Sequence, residues 1–103
     1  MRRVIRLAED DWRSTYFVPE NLTSSVTHAE EVKTVVPQGM TMPEMALRFI
    51  LCNRTVSTTI PGMRKIAHVR SNIAVSDGKM LAPEVLTDLK KHRWDRVPTD
   101  WSQ

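Results

Sequence analysis

The residues best suited to chemistry lie between Val56 and Asn72, where a run rich in apolar and hydroxyl side chains meets Ile60-Pro61-Gly62 and a basic helical pattern follows. Glycine allows a backbone to approach a ligand closely, and the free amides at a helix start point toward a bound anion. Arg64 and Lys65 add positive charge at the same place. The pattern predicts a phosphate-binding junction between a strand and a helix. The alternative for Arg64 and Lys65 is an ordinary exposed first turn.

The other reactive side chains stand apart from one another. Cys52 is the single cysteine, which excludes an internal disulfide, and its apolar neighbours favour a small buried side chain. His28 and His92 are expected on exposed helix faces, and with one cysteine the histidines offer no metal-ligand spacing, so no metal site is predicted. The hydroxyls of residues 57–59 have no nearby base, which argues against nucleophilic catalysis. Tyr16 is expected to pack.

Length and composition indicate a small globular protein. The chain has 103 residues, of which 41% are hydrophobic and 26% charged, as expected for one domain or part of a larger one. Its apolar runs are far shorter than the roughly 20 residues of a membrane-spanning helix, and the N-terminus lacks the apolar centre of a signal peptide. We therefore expect a cytoplasmic protein that does not contact a membrane.

The formal net charge is +3, and basic residues cluster in the segments 1–6, 64–70 and 90–96. Such clusters suit ligands that bear phosphate. They are also typical of solvated helix faces and helix ends. Charge alone therefore leaves both interpretations open.

Residues 1–18 are predicted to form a connecting arm. The first and the last of the predicted helices follow it. The first runs over about residues 19–36, where apolar side chains recur at three- and four-residue steps, and residues 37–39 end it because proline cannot continue the hydrogen-bond ladder. The last begins at Pro83, and basic residues 90–93 complement the negative end of its dipole.

Two further helices flank the junction. Thr41 and Glu44 have the spacing of a capping box, which predicts a helix start there and an end near residues 53–54. The buried face of this helix is expected at Met45, Ala46, Phe49 and Ile50. The other helix is expected to open directly after Gly62 and to continue to about Val75, with apolar positions at Ile66, Val69 and Ile73.

Residues 55–60 are the strand candidate, since their β-branched side chains favour a pleated backbone. A lone strand cannot pair its own amides and carbonyls. The predicted fold class is therefore mainly α, with four helices and one short strand that requires a partner from a larger sheet.

The segment 56–72, together with PEMALRFIL at residues 43–51 and KKHRWDR at residues 90–96, resembles the last strand and flanking helices of the aldo/keto reductases. The resemblance implies the C-terminal end of a (β/α)8 barrel, with residues 19–103 as its helical portion. It also implies NADP(H) as cofactor and carbonyl reduction as the activity of the family. The catalytic Asp, Tyr, Lys and His of the family lie on early strands that have no counterpart here, so no catalytic residue is assigned. A C-terminal fragment that is not catalytic alone, with weak or absent cofactor binding, is the implied state.

Five residues take cofactor-binding positions by this resemblance. Gly62, Met63 and Arg64 lie at the turn that binds the adenosine 2′-phosphate, His68 lies where many members have a phosphate-binding arginine, and Asn72 lies at the adenine position. Many members have Ile-Pro-Lys-Ser at the turn, whereas this chain has Ile-Pro-Gly-Met, and the choice between NADP and NAD stays open.

Two alternatives concern partners. A small helical module could place its basic helix on nucleic acid or an acidic protein, although residues 55–60 make the spacer longer than the three or four residues of a DNA-binding turn. Self-association through the orphan strand is compatible with the family interpretation. In isolation the chain is expected to form a compact helical bundle with this strand frayed or docked as a loop.

Overall fold

The computed structural model describes residues 7–13 and 19–95, and the regular structure within them is helical. The helices in chain order are α1 (Pro19–Val32), a 3-10 turn (Lys33–Val35), α2 (Met42–Leu51), α3 (Ile66–Ala74) and α4 (Pro83–Lys90). The predicted mainly helical fold class is confirmed. No helix in the described part of the chain is both long and apolar enough to cross a bilayer.

The strand predicted at residues 55–60 is not formed. Residues 56–60 have no regular secondary structure, and no strand pairs with them anywhere in residues 7–13 and 19–95. The physical reason is the missing partner, because β-branched side chains favour an extended backbone but only a second strand can satisfy its amides and carbonyls.

The first helix ends as the sequence predicts, within one turn. The α-helical hydrogen bonding stops at Val32, and the 3-10 turn carries the chain to Val35 before Pro37. Gly39 then takes a positive φ of 80°, a conformation that costs other residues more. The amide of Met40 donates to the carbonyl of Pro37 at 3.1 Å and closes this turn.

The Thr41 half of the predicted capping box at the start of α2 is confirmed, whereas the Glu44 carboxylate bonds Arg48 and not the Thr41 amide. Thr41 is the N-cap residue in extended conformation, and its hydroxyl accepts a hydrogen bond from the amide of Glu44 at 3.2 Å. One of the amides left unpaired by the helix start is thereby satisfied. The Glu44 carboxylate accepts a hydrogen bond from Arg48 Nε, one turn further along, at 3.1 Å.

A small core lies within residues 31–93. Its buried apolar side chains are Met45 from α2, Val75 at the end of α3 and Leu81 just before α4. Helices α2 and α3 contact each other, and α4 contacts the 3-10 turn. Each of these helices therefore contributes few residues to the core.

Several apolar side chains predicted to be buried are exposed. Ala46, Phe49 and Ile50 on α2 are exposed. On α3, Ile66 and Ile73 are exposed, and Ile66 retains 73% of its accessible surface. The helical spacing of these positions is as predicted, but the described residues supply no layer that covers them.

The described residues form two separate units. Residues 31–93 form one, and residues 7–13, 19–30, 94 and 95 belong to the other. In the latter, the His28 ring packs edge-on against Trp94 with 4.0 Å between ring centroids.

His28 and His92 are both half-buried, so their predicted exposure is wrong. Of the predicted arm at 1–18, only residues 7–13 are described, and Tyr16 lies outside them.

Candidate functional site

The junction before α3 is longer than the sequence suggests. The helix begins at Ile66, with Lys65 as an N-cap in extended conformation whose side chain makes no capping hydrogen bond. The predicted start directly after Gly62 is therefore wrong, and residues 62–64 form the loop that enters the helix. Glycine is a poor helix former and the segment has no Ser, Thr, Asp or Asn to cap an earlier start, which accounts for the delay.

Asn72 is the residue that ties this loop to the helix. Its side-chain amide Nδ2 donates a hydrogen bond to the carbonyl oxygen of Gly62 at 3.3 Å, although the two residues are ten positions apart. Asn72 is half-buried. Two of the five predicted site residues are thus in direct contact.

A groove runs beside this contact. Its volume is about 220 Å³, and Met63 lines it together with Asn72. Leu47 and Leu51 of α2 provide an apolar wall, and the hydroxyl residues 57–59 supply polar groups. The remaining lining residues are Pro61, Ile73, Val75 and Ser76. Three of the predicted site residues are therefore gathered at one place, by contact or as groove lining.

The predicted phosphate-binding side chains lie on the outside of the same helix start. Arg64, Lys65 and His68 are exposed. Among the described residues, neither Arg64 nor Lys65 has an ion-pair partner. Their charges are therefore not neutralised by the chain itself, and an anion at the start of α3 would meet unpaired cations. Among the described residues, no hydrogen bond joins the imidazole of His68 to Asn72 or Gly62.

Gly62 does not adopt the left-handed conformation that would require glycine. Its φ is not positive, and a Cβ at this position would meet no atom within 4 Å. The residue therefore leaves open space in front of the backbone, which is what a close approach of a ligand would use.

Arg48 was not predicted as a functional residue from the sequence. It lies in the last turn of α2 and is 92% buried, and its guanidinium reaches the turn that follows α3. Its relative exposure is 8%, and its guanidinium donates from Nη1 to Asp77 Oδ1 at 2.8 Å and from Nη2 to Asp77 Oδ2 at 3.0 Å. Nη1 also donates to the carbonyl oxygen of Lys79 at 2.9 Å. With Glu44 on Nε, each of the three guanidinium nitrogens donates at least one hydrogen bond, and four of the five N–H groups have acceptors.

These hydrogen bonds hold both groups in their charged forms. Hydrogen bonds from Arg48, with a further one from the Lys79 amide, lower the pKa of Asp77 well below its usual range. Hydrogen bonds to Asp77 and Glu44 raise the pKa of Arg48 in turn. The one signal in the sequence was the four-residue spacing of Glu44 and Arg48, whereas Asp77 is 29 positions away from Arg48.

The described part of the chain is helical, and a groove of about 220 Å³ lies beside the loop that enters α3. The Aldo/keto reductase family model matches residues 7–93 of the chain. The chain therefore belongs to the aldo/keto reductase family, a family of oxidoreductases that generally use NADP(H). No curated protein and no solved structure matches it.

Proposed function

We propose that this chain is the C-terminal portion of an NADP(H)-dependent carbonyl reductase and carries the part of the cofactor site that binds the adenosine 2′-phosphate and adenine. In this proposal residues 19–103 are the helical end of the barrel and residues 1–18 are the arm that leads into it. The hydrogen bond from Asn72 Nδ2 to the Gly62 carbonyl carries the proposal, because it joins the adenine position to the phosphate turn.

The volume of the groove beside Asn72 agrees with this role. Pockets that enclose whole drug-sized ligands measure about 300–1,000 Å³, and this groove measures about 220 Å³. It is large enough for one ring system and too small for a dinucleotide. Its leucine wall suits the faces of a planar base, while the Asn72 amide and the hydroxyls of 57–59 suit its polar edge.

The cations at the start of α3 fit the phosphate. Arg64 and Lys65 are exposed and unpaired among the described residues, and the loop at 62–64 presents an open backbone at Gly62. A 2′-phosphate carries close to two negative charges, so its affinity for this site is expected to fall as salt concentration rises. When bound, NADPH supplies hydride; this chain's residues would contribute affinity at the opposite end of the cofactor.

A titration with two nucleotides tests the proposal. We expect 2′,5′-ADP, which carries the 2′-phosphate, to shift the amide NMR signals of Gly62, Arg64 and Asn72, and 5′-AMP to shift only those near the groove. Arg64→Ala should weaken 2′,5′-ADP and leave 5′-AMP unchanged. Arg93→Ala is the matched control, because it removes an exposed arginine that does not line the groove. Equal weakening by both variants, or no shift at the groove, would refute the site.

We expect that this chain alone does not reduce carbonyl compounds. The purified 103-residue chain should give no aldehyde-dependent loss of NADPH absorbance at a rate above that of buffer. Turnover that tracks the purified protein would overturn the assignment of the chain as a non-catalytic portion.

We also propose that the segment 55–60 mediates self-association. Ile60 keeps 90% of its accessible surface, and no described strand pairs with the segment's backbone. The amides of Thr55 and Val56 are used in a local turn, which leaves residues 57–60 to form an edge strand when a second copy pairs with them. Sedimentation velocity should show a concentration-dependent increase in size. Thr58→Pro, which removes a backbone donor, should abolish it, and Thr58→Ala, which keeps the donor, should not. A monomer at all concentrations would exclude this state.

A further inference from the structure

We propose that Arg48, acting through Asp77, is a positioning residue for Asn72 in the nucleotide site. The inference rests on the proposed function, because that function is what makes Asn72 important for nucleotide binding. The placement of Asn72 can be measured without any nucleotide, so the two proposals can fail separately.

Helix α3 is anchored at one end. No residue within Ile66–Ala74 is buried, and the residues that enter it at 64 and 65 are exposed as well. The buried contact comes immediately after the last turn, where Val75 enters the core. A helix held at its C-terminal end alone can tilt about that end unless a second contact fixes its direction.

Asp77 provides that second contact. It lies two residues beyond Val75, and both of its carboxylate oxygens accept hydrogen bonds from Arg48 of α2, at 2.8 and 3.0 Å. Oδ1 also accepts from the Lys79 amide at 2.9 Å, and Gly78 between them takes a φ of 78°. The turn after α3 is thus closed on itself and attached to α2 through a planar fork that fixes orientation as well as distance.

Asn72 lies in the last turn of α3, at the end that Val75 anchors. It is five positions before Asp77, and the groove that it lines has Leu47 and Leu51 of α2 on its other wall. The position of α3 relative to α2 therefore sets the width of the groove and the place of Asn72 in its wall. Loss of the Arg48–Asp77 contact should release this geometry while Val75 keeps the helix on the core.

The test uses the full chain and three variants. Asp77→Asn keeps the shape of the side chain and removes its charge, and Arg48→Lys keeps the charge and removes the fork. Asp88→Asn is the matched control, since Asp88 carries an exposed ion pair with Lys91 at 3.4 Å in the same unit. In nitrogen-edited NMR spectra of the free protein, the signals of the Asn72 side-chain amide and the Gly62 backbone amide should move in the first two variants only.

The nucleotide provides the second readout. With 2′,5′-ADP as the probe, Asp77→Asn and Arg48→Lys should weaken binding by roughly 2- to 30-fold, the range expected for residues that act through others. Asp88→Asn should bind as the wild type does. Circular dichroism at 222 nm must show that helix content is retained; if Asp77→Asn unfolds, Arg48→Lys decides.

Each outcome bears on one proposal. Unchanged Asn72 and Gly62 signals in a folded Asp77→Asn or Arg48→Lys variant would overturn the positioning role, because Val75 alone would then be sufficient. If these signals move but the wild-type chain does not bind 2′,5′-ADP, the positioning of Asn72 stands and the cofactor proposal fails.

Discussion

Replacement of Met45 by alanine should destabilise residues 31–93 far more than the same change at Met80. Met45 is 2% exposed and is one of the few apolar side chains buried in the described structure, whereas Met80 keeps 59% of its surface. The two residues lie in the same unit and lose the same atoms on substitution. The difference between them therefore isolates burial.

The magnitude follows from the cavity that the change leaves. Truncation of a buried methionine to alanine costs about 2–5 kcal/mol, and natural domains have roughly 0.05–0.15 kcal/mol of stability per residue. For a unit that spans residues 31–93, this gives a total of roughly 3–9 kcal/mol. Met45→Ala should thus remove about a fifth of the stability or more, while Met80→Ala should change it by less than about 0.5 kcal/mol.

Urea denaturation followed by circular dichroism at 222 nm measures both variants. The wild type and Met80→Ala should share a midpoint, and Met45→Ala should unfold at a clearly lower urea concentration or be partly unfolded without urea. Equal midpoints for all three proteins would refute a core centred on Met45.

Three further predictions concern the helix cap, the ion pair and the glycines. Thr41→Ala should lower the free energy of unfolding by about 1 kcal/mol, because the Glu44 amide loses its acceptor, and Thr41→Ser should restore most of it in the same urea assay. Asp77 has a lowered pKa in the folded state, so its contribution to stability is present above the ordinary Asp pKa of about 3.9 and is lost as pH falls below it. The urea midpoint of the wild type should therefore drop below about pH 4 more steeply than that of Asp77→Asn; parallel pH curves would contradict this. Gly39→Ala should cost about 1 kcal/mol because φ is positive there, whereas Gly62→Ala should leave the melting temperature unchanged, since a Cβ meets no atom within 4 Å.

Local signals in the sequence were sufficient to predict that the four helices form, although the start of α3 was placed too early. The Thr41 cap, the proline at the start of α4 and the stop at residues 37–39 each act within a few residues, so their effects do not depend on the rest of the fold. The contact between Asn72 and Gly62 was not itself predicted, but both residues had been assigned to one site from the family pattern, and the structure brings them together.

The remaining features depend on distant parts of the chain. A β-branched segment such as 55–60 becomes a strand only beside another strand, and an apolar face such as that of Ile66 and Ile73 is buried only where another layer covers it. The pairing of Arg48 with Asp77 spans 29 residues and has no local pattern. Sequence spacing could therefore place these residues on faces but could not supply their partners.

The exposure of α3 has a consequence for how a ligand would bind. Amide hydrogen exchange follows local opening, and a helix with no buried residue opens at a free energy well below that of global unfolding. The amides of α3 should exchange faster than those of α2 around Met45. A nucleotide that bound Asn72 and the start of α3 would have to order this helix, so part of its interaction energy would be used for ordering, and binding would be seen first as slower exchange along residues 66–74.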